Sequence, residues 1–310
     1  MPKVRPDEGR FFDVDPSPRV LIVSPVKNEA AHLQAVIRAV ATQDFPPARW
    51  IVVDDGSSDG TPAIARRLSA DIPFMDVLDE GVGRGGRDPL AEGAAPKAFN
   101  RGLALADLGE FTHVMKLDGD VELPPDYLQR LMSEFANDSR LGIACGDLVE
   151  GPPESRARIP IPAHHVHGAL KCYTLECFRA IGGLQERLGW DTIDETYARM
   201  RGYKTRSFRD FPAVHHRRLG SASGTLRGRA RHGECAYVAH FSPLWVSLRA
   251  VKVARARPWG LTGAAFLYGY VRAAVRRVDR VPDPDFRRFA RWELRQRMLR
   301  SLHVSPRAHL

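Results

Sequence analysis

Cysteine is scarce in this chain of 310 residues, and the four that occur are not paired in sequence. Cys145, Cys172, Cys177 and Cys235 form no Cys-x-x-Cys motif, which is the spacing of many structural zinc and redox sites. The first 18 residues are polar and proline-rich and lack the apolar core of a secretory signal peptide. We therefore expect a reducing, cytoplasmic location in which the cysteines are buried free thiols.

Long hydrophobic runs are missing as well. The stretch 258–271 has no charged residue but is only 14 residues long, whereas a transmembrane helix needs about 20. Acidic residues are scarce near the C-terminus, where residues 241–310 hold 15 Lys or Arg and 4 Asp or Glu, a net charge of +11. Since the whole chain carries +9, this is a basic tail on a near-neutral body. It favours contact with acidic lipid or nucleic acid, although a solvated helical face would account for part of the charge.

Apolar and amphipathic segments alternate in the first half of the chain. Apolar runs such as 19–24 and 50–53 are typical of buried parallel strands, and 30–41 repeats apolar residues at helical spacing. This alternation predicts an α/β fold with a doubly wound, mostly parallel sheet flanked by helices. Further strands are predicted at 74–78, 112–117, 141–149 and 203–208, and further helices at 95–108, 124–135, 172–180 and 194–201. A glycine-rich loop is predicted at 81–93, and basic amphipathic helices are predicted from about 242.

Two carboxylates directly follow the predicted strand 112–117, in the sequence Asp118-Gly119-Asp120. A parallel strand that ends in this way brings both acids to the carboxyl edge of the sheet, where open α/β folds bind ligands. Carboxylate oxygens are the ligands that Mg²⁺ and Mn²⁺ prefer, so the Asp-x-Asp motif predicts a metal site. The alternative is a solvated turn, because Asp and Gly are common turn residues.

Five sequence blocks carry a resemblance to a known family. They are VSPVKNEAAHL at 23–33, WIVVDDGSSDGT at 50–61, KAFNRGL at 97–103, VMKLDGDVELPPDYL at 114–128, and GGL, WDTIDE and RGYKT between 182 and 205. In type and order they resemble the inverting family-2 glycosyltransferases of the GT-A fold, over roughly residues 19–216. The expected organisation is an N-terminal extension at 1–18, a catalytic domain at 19–240 (nucleotide-sugar half 19–120, acceptor half 121–240) and a basic amphipathic helical tail at 241–310.

The resemblance implies a nucleotide-sugar donor at the carboxyl edge of the sheet. One of Asp54 and Asp55 is expected to hydrogen-bond the base. Lys97 is expected near the diphosphate, unless it is simply an exposed helix residue. The expected donor-binding residues are Pro25, Val26, Asn28, Glu29, Asp54, Asp55, Lys97, Asn100, Asp118 and Gly119. Uridine donors are the commonest in the resembling family, so a UDP-sugar is expected.

The same resemblance implies a Mn²⁺ or Mg²⁺ ion, which neutralises the charge that grows on the leaving diphosphate. Asp118 and Asp120 are the expected ligands, with Asp120 the more direct one. GT-A enzymes often add a late histidine, for which His215 and His216 are candidates, although either can instead be a surface or packed residue. The histidine cluster at 164–167 is not expected to bind zinc, because neighbouring side chains in a strand face apart.

An inverting transfer needs a general base for the acceptor hydroxyl, and a carboxylate is the expected group. The family places it in a Glu-Asp pair that this chain does not reproduce. Asp194 and Asp191 are nearly equal candidates and Glu195 is third, while the remaining two would complement the dipole at a helix N-terminus. Trp190 and Gly183 are the expected acceptor contacts, although Trp190 can equally be a half-buried core residue.

The tail is similar to that of a bacterial subgroup whose C-terminal helices lie against a membrane. Its uncharged segment 258–271 contains Trp259, Tyr268 and Tyr270 and is followed by arginines, which predicts an interfacial helix on anionic lipid. The alternative is a helix packed on the catalytic domain or on a dimer partner. A Gln-x-x-Arg-Trp motif, the mark of processive members, is missing from the tail, which favours transfer of a single sugar.

The expected function is metal-dependent, inverting transfer of one sugar to an acceptor glycan or lipid-linked sugar. It would serve surface-polysaccharide or glycolipid synthesis, with the protein peripheral on the inner face of the cell membrane. A nucleotidyltransferase is the first alternative, but residues 25–28 do not form the glycine-rich phosphate loop that it requires. A nucleic-acid-binding protein is the second, although no nucleic-acid motif accompanies the basic tail. The altered Glu-Asp pair suggests the third, an inactive GT-A-like scaffold.

Overall fold

A computed structural model describes residues 17–79, 93–217 and 224–303 of the chain. Most of the predicted N-terminal extension and nearly all of the predicted glycine-rich loop lie outside these residues. Within the described ranges, nine strands form one mixed sheet that is accompanied by helices. The fold is therefore α/β, as the alternation of segments predicted.

The first half of the chain builds the parallel part of the sheet, in the order β3-β2-β1-β4. Strand β1 has an uninterrupted apolar core because both of its faces are covered. The strand order reverses between β1 and β4, and ligands of open α/β sheets bind outside the carboxyl ends of the strands at such a point. The elements are β1 (Val20–Val26), α1 (Leu33–Ala41), β2 (Arg49–Asp54), α2 (Thr61–Ser69), β3 (Met75–Asp79), α3 (Ala94–Leu103) and β4 (His113–Leu117).

The second half extends the sheet with mixed pairing. Strand β8 is antiparallel to both β4 and β6, and β9 is parallel to β6. The short strand β5 pairs with the end of β9, so that Val121 lies opposite His215. The elements are β5 (Val121–Glu122), α4 (Tyr127–Asn137), β6 (Leu141–Glu150), β7 (Ala157–Arg158), β8 (Leu170–Thr174), α5 (Leu175–Ala180), α6 (Trp190–Met200) and β9 (Lys204–His215).

The prediction of a helix over 172–180 is wrong for its first three residues. Cys172 and Tyr173 are fully buried in β8, between β4 and β6. The helix α5 begins only at Leu175, where the side chain of Thr174 caps it by accepting a hydrogen bond from the amide of Cys177. Pairing with two neighbouring strands outweighs the local helical pattern at this position.

Four helices form the C-terminal region: α7 (Thr225–Val238), α8 (Pro243–Val253), α9 (Leu261–Val275) and α10 (Pro284–His303). Helices α7 and α9 touch backbone to backbone, because a Cβ on Gly269 would overlap the carbonyl oxygen of Ala230. Helix α10 packs on α6 through a small apolar cluster that includes Ile193, Phe286 and Ala290. Among the described helices, none is both long enough and apolar enough to cross a bilayer.

Candidate functional site

The turn after β2 holds the two acids predicted to bind the base, and their surroundings differ. Asp54 is buried and accepts hydrogen bonds from the amide and the hydroxyl of Ser57, at 3.0 and 2.5 Å. Asp55 instead faces Arg101, whose guanidinium lies 2.6 Å from its carboxylate, and Lys27 at 3.8 Å. Asp54 thus shapes the turn, while Asp55 belongs to a charged group at the edge of the sheet.

The loop after β1 is held against this turn by hydrogen bonds. Asn28 adopts a left-handed conformation with φ of 55°, and its amide donates to the hydroxyl of Ser57 at 2.9 Å. The amide of Glu29 donates to Thr61 at 2.8 Å. The predicted nucleoside-binding segment, which also contains Pro25 and Val26, therefore has a defined backbone.

The Asp-Gly-Asp turn after β4 packs directly on the loop after β1. A Cβ on Gly119 would lie 2.7 Å from a methyl carbon of Val26 and 3.2 Å from the side chain of Glu29. Only glycine fits this close approach. The turn leaves the carboxylate of Asp118 35% exposed and that of Asp120 mostly buried, so both acids lie at the predicted edge.

Asp120 is paired with the first of the two candidate histidines. Nε2 of His215 lies 3.4 Å from the carboxylate of Asp120, and Nδ1 lies 2.8 Å from Glu150. Burial disfavours the imidazolium, but hydrogen bonds and charge from Asp120 and then Glu150 outweigh it and raise the pKa of His215 to about 9. His216 instead lies 2.8 Å from Glu122 and stacks on His32. The structure thus brings His215, and not the imidazole of His216, to the Asp-x-Asp motif.

Negative charge accumulates around this motif. The pKa of Glu29 is raised to about 7, first by burial and then by the negative charge of Asp120. Asp118 adds a smaller effect in the same direction, and Arg217 lowers the pKa. Arg217 lies 2.5 Å from Glu29 and 3.9 Å from Asp120. In the part of the chain that the structure describes, no group of three or more His, Cys, Asp or Glu side chains is arranged to hold a metal ion.

The three candidate bases lie on the first turns of α6, but two of them are buried in ion pairs. Both oxygens of Asp194 lie 3.1 Å from Nζ of Lys171, and the hydroxyl of Tyr173 donates to Asp194 at 2.5 Å. Glu195 also lies 3.1 Å from Lys171. Asp191, in contrast, is half-buried, and its backbone carbonyl accepts a hydrogen bond from Lys171 at 2.7 Å.

The carboxylate of Glu195 has further hydrogen-bond and ion-pair partners. It accepts a hydrogen bond from the amide of Val166 at 2.8 Å and lies 3.1 Å from Nδ1 of His165 and 3.3 Å from Arg199. Burial would raise the pKa of Glu195, but Lys171 and then His165 lower it well below its usual range. A carboxylate held in this way is a poor proton acceptor. Burial raises the pKa of Asp194 to about 6, but its carboxylate is enclosed by Lys171 and Tyr173. Asp191 is therefore the candidate whose side chain stays partly exposed.

The Asp-x-Asp motif and the candidate bases of α6 lie against the same set of residues, which we call the shared wall: Lys116, Gly168 and Trp190. Lys116 forms an ion pair with Asp118 and donates to the carbonyl of Gly168 at 3.0 Å. A Cβ on Gly168 would lie 3.4 Å from both Trp190 and the Cβ of Asp191. The Asp-x-Asp motif and the start of α6 are therefore neighbours, as a shared substrate requires.

The remaining predicted residues lie on α3 and on the loop before α6. Nδ2 of Asn100 donates to the carbonyl of Leu184 and to Glu186, both at 3.0 Å, so it ties α3 to that loop. Gly183 has φ of 76° and packs against Phe178. Lys97 is half-buried on the first turn of α3.

Comparison with known proteins gives the family. The chain matches Glycosyl transferase family 2 over residues 21–210, which is more than half of its length. It belongs to glycosyltransferase family 2. The predicted family and the GT-A fold are thereby confirmed, while inversion, metal use and membrane contact stay predictions.

Two relatives of this family-2 glycosyltransferase share part of its sequence. The succinoglycan biosynthesis protein ExoA of Rhizobium meliloti is 30% identical over 194 residues, which cover 54% of this chain and 53% of the relative. The β-monoglucosyldiacylglycerol synthase of Synechocystis is 34% identical over 125 residues, 39% of this chain and 24% of the relative. The chain thus spans about half of the first relative's length and about a quarter of the second's.

Solved structures agree with the fold. A mannosyltransferase from Pyrobaculum calidifontis in complex with GDP-Man and Mn²⁺ is 23% identical with a TM-score of 0.55, over 93% of this chain and 81% of that chain. S. aureus TarS in complex with UDP-GlcNAc is 16% identical with a TM-score of 0.52, over 82% and 71%. At these identities the likeness shows the GT-A fold alone.

Sequence reasoning missed several residues of the site, above all Lys116, Lys171 and Glu150. The first two carry a recognisable signal, because each is a lysine within an otherwise apolar strand segment. A charged residue at such a position is rarely buried without a partner. Glu150 has no comparable signal, since it ends its strand as many solvated residues do.

Proposed function

We propose that this family-2 glycosyltransferase moves one sugar from a nucleotide-diphosphate sugar to an acceptor hydroxyl, with inversion at the anomeric carbon. The observation that carries the proposal is the shared wall of Lys116, Gly168 and Trp190, against which both Asp118 and Asp191 lie. An in-line displacement needs charge stabilisation on one side of the sugar and a proton acceptor on the other.

A divalent cation fits the donor side by the chemistry of the residues present. Asp118 and Asp120 offer carboxylate oxygens, which Mn²⁺ accepts, and His215 would offer an imidazole nitrogen on losing the proton that Asp120 and Glu150 stabilise. After burial, the charges of Asp120 and Asp118 contribute to the raised pKa of Glu29, so negative charge is concentrated there. When bound, the ion would act as a Lewis acid toward the leaving diphosphate. Arg217, which already spans Glu29 and Asp120, would add a second positive charge there.

On the acceptor side, Asp191 is our candidate for the general base. Its carboxylate is at the N-terminal turn of α6 and is partly exposed, whereas those of Asp194 and Glu195 are buried against Lys171. Asp191 would take the proton of the acceptor hydroxyl as its oxygen attacks the anomeric carbon. Trp190, the preceding residue, is half-buried and would contact the acceptor.

The nucleoside would bind along the locked loop after β1 and the turn after β2, where Asp55 is the more accessible of the two acids. A UDP-sugar is the expected donor, and the acceptor is expected in surface-polysaccharide or glycolipid synthesis. The names of the succinoglycan and glucosyldiacylglycerol relatives support that assignment. The family match favours it over the nucleotidyltransferase alternative.

The same proposal places the protein on an anionic membrane surface. Residues 241–277 contain seven Lys or Arg and no Asp or Glu, and both α8 and α9 keep exposed apolar stripes at helical spacing. We call this set the apolar ridge: Leu244, Leu248, Val251, Leu261, Tyr268, Val271 and Val275, with Trp259 between the helices. Exposed apolar side chains beside basic ones suit the headgroup region of acidic lipid. A second copy of the chain fits less well, because the basic residues beside its own ridge would repel those of the first copy.

Donor binding and Asp120→Ala together test the proposal. Thermal melts with UDP-, GDP- and dTDP-sugars, each with and without Mn²⁺, should show stabilisation by one donor class that depends on the metal.

The Asp120→Ala variant should lose that dependence on the metal and should lower transfer by roughly 100-fold or more, with the fold kept. Asp71→Ala, at an exposed site before β3 and therefore at the opposite edge of the sheet, is the matched control. A fully active Asp120→Ala would rule out the metal role, and failure of every donor to bind or be hydrolysed with Mn²⁺ would favour the inactive scaffold.

A further inference from the structure

Two lysines lie directly opposite each other inside the sheet. Lys116 of β4 and Lys171 of β8 are register partners in an antiparallel pair, and they are only 1% and 0% exposed. Like charges directly opposite in a sheet are destabilising, and a buried ammonium is costly unless it is paired. Such a pair is retained only if other groups compensate for it.

The ring of Trp190 lies against both ammonium groups. The Nζ atoms of Lys116 and Lys171 are 5.3 and 5.5 Å from the centre of that ring. A cation near an aromatic face is stabilised by the ring quadrupole. Trp190 is also the first residue of α6, so it joins the lysine pair to the helix that carries Asp191.

Each lysine is bound to a different functional group. Lys116 pairs with Asp118 on the donor side. Lys171 pairs with Asp194 and Glu195 and also donates to the backbone carbonyl of Asp191, and that hydrogen bond, at 2.7 Å, is the shortest of its contacts. The two carboxylates are enough to balance the charge of Lys171, so the bond to Asp191 is an additional, directional restraint on the first turn of α6.

We infer that Lys171 is a positioning residue for the general base. By holding the carbonyl of Asp191, it fixes the turn that presents the Asp191 carboxylate beside the wall shared with Asp118. Lys171 itself is buried and does not touch substrate. The inference rests on the proposed function, in which Asp191 takes the acceptor proton.

A charge-balanced double variant tests the inference. Lys171→Met/Asp194→Asn removes one positive and one negative charge, and Glu195 keeps His165, Arg199 and the amide of Val166. We expect kcat to fall by about 10- to 100-fold, because small misplacements of a reacting group are this costly, with KM for the donor unchanged. Asp194→Asn alone, which keeps the bond from Lys171 to Asp191, is the control against which that fall in kcat is measured. A folded double variant with the kcat of that control would overturn the inference.

Hydrogen exchange on the wild-type chain gives a second measurement that needs neither activity nor a variant. The amides of Thr192 and Ile193 should be protected without donor, and at least tenfold slower to exchange than the amides of Thr225 and Leu226 on the exposed first turn of α7. Rapid exchange at both positions would overturn the inference even if the double variant did not fold. A wild-type chain without transferase activity but with these amides protected would instead contradict the proposed function and leave the restraint on α6 standing.

Discussion

Asp191 differs from Asp194 and Glu195 in what surrounds each carboxylate, and the sequence does not contain that difference. All three lie within five residues, and spacing to Gly202 or to Arg199 supports different choices among them. The three carboxylates differ in burial and in their partners. Lys171 of β8 pairs with those of Asp194 and Glu195. Identity and spacing were enough to find the cluster, but the choice within it needed the tertiary contacts.

The resulting prediction concerns a matched pair of variants. Asp191→Asn should lower kcat by roughly 100- to 10,000-fold, the usual contribution of a general base, with donor affinity retained. Asp194→Asn should change kcat only a few-fold, because Asp194 is buried and bonded to Lys171 and Tyr173. Steady-state kinetics and donor titration on both proteins provide the check. The opposite ranking of the two kcat values would assign the base to Asp194.

Other residues of the site could be placed from the sequence alone. Asp55, Asp118 and Asp120 each follow an apolar strand, and the carboxyl ends of parallel strands share one edge. The assignment of His215 over His216 could not be made in this way. It depends on the pairing of β5 with β9, which brings His215 opposite Val121 and so next to Asp120.

At the scale of elements, strands with uninterrupted apolar cores were predicted well, whereas most of β8 was assigned to a helix. The segments 19–24 and 50–53 correspond to β1 and β2. Three of the five residues of β8, Cys172 to Thr174, were predicted as the start of a helix at 172–180, and Leu170 and Lys171 were assigned to no element. That lysine is buried through contacts with α6, which local sequence does not reveal.

The apolar ridge of α8 and α9 leads to a prediction about lipid binding. We expect the protein to bind vesicles that contain phosphatidylglycerol and to bind pure phosphatidylcholine weakly, with affinity falling as salt rises. Leu248→Gln/Val271→Gln removes two side chains that are 56% and 55% exposed and should weaken binding by at least about tenfold. Vesicle co-sedimentation measures both effects.

The control for the vesicle experiment is Leu105→Gln, which changes an exposed leucine outside the tail. It should bind vesicles as the wild type does. Equal binding to neutral and acidic vesicles would contradict the anionic-lipid assignment. Binding to DNA with the same salt dependence, together with no vesicle binding, would favour the nucleic-acid alternative.

At the scale of the whole molecule, buried histidines predict that the fold weakens in acid. Burial lowers the pKa of His113 to about 4, and its ring lies 2.8 Å from the hydroxyl of Thr112 and packs on Phe135. Because the folded pKa is below the usual value of about 6.5, the stabilisation by neutral His113 is present above pH 6.5. It is lost as the pH falls from 6.5 toward 4.

The size of that effect can be isolated by a single substitution. Between pH 7.5 and 5, wild type should lose about 2 kcal/mol more unfolding free energy than His113→Gln, from the difference between the two pKa values. Urea unfolding at the two pH values measures the comparison, in which the opposite contribution of His215, whose pKa is raised, cancels. Equal losses in the two proteins would show that the pKa of His113 is the same in the folded and the unfolded state.

The C-terminal tail shows which properties of the whole molecule can be predicted from local sequence and which cannot. Its charge and its helical character were evident from composition. Its role as a support for α6 was not, because the contacts of Phe286 and Ala290 with Ile193 join positions about 90 residues apart. Arg199 makes a further bond of 2.6 Å to Glu293 across the same contact.

The sequence by itself determined the α/β class, the order of the parallel strands' segments and the acids at their carboxyl ends. It could do so because strand burial and turn chemistry depend on neighbours along the chain. Only the tertiary structure decided which histidine meets Asp120, which acid of α6 is left available, and why two lysines are buried face to face. Those outcomes depend on pairings between distant strands, where burial and charge balance are set by residues that local sequence does not connect.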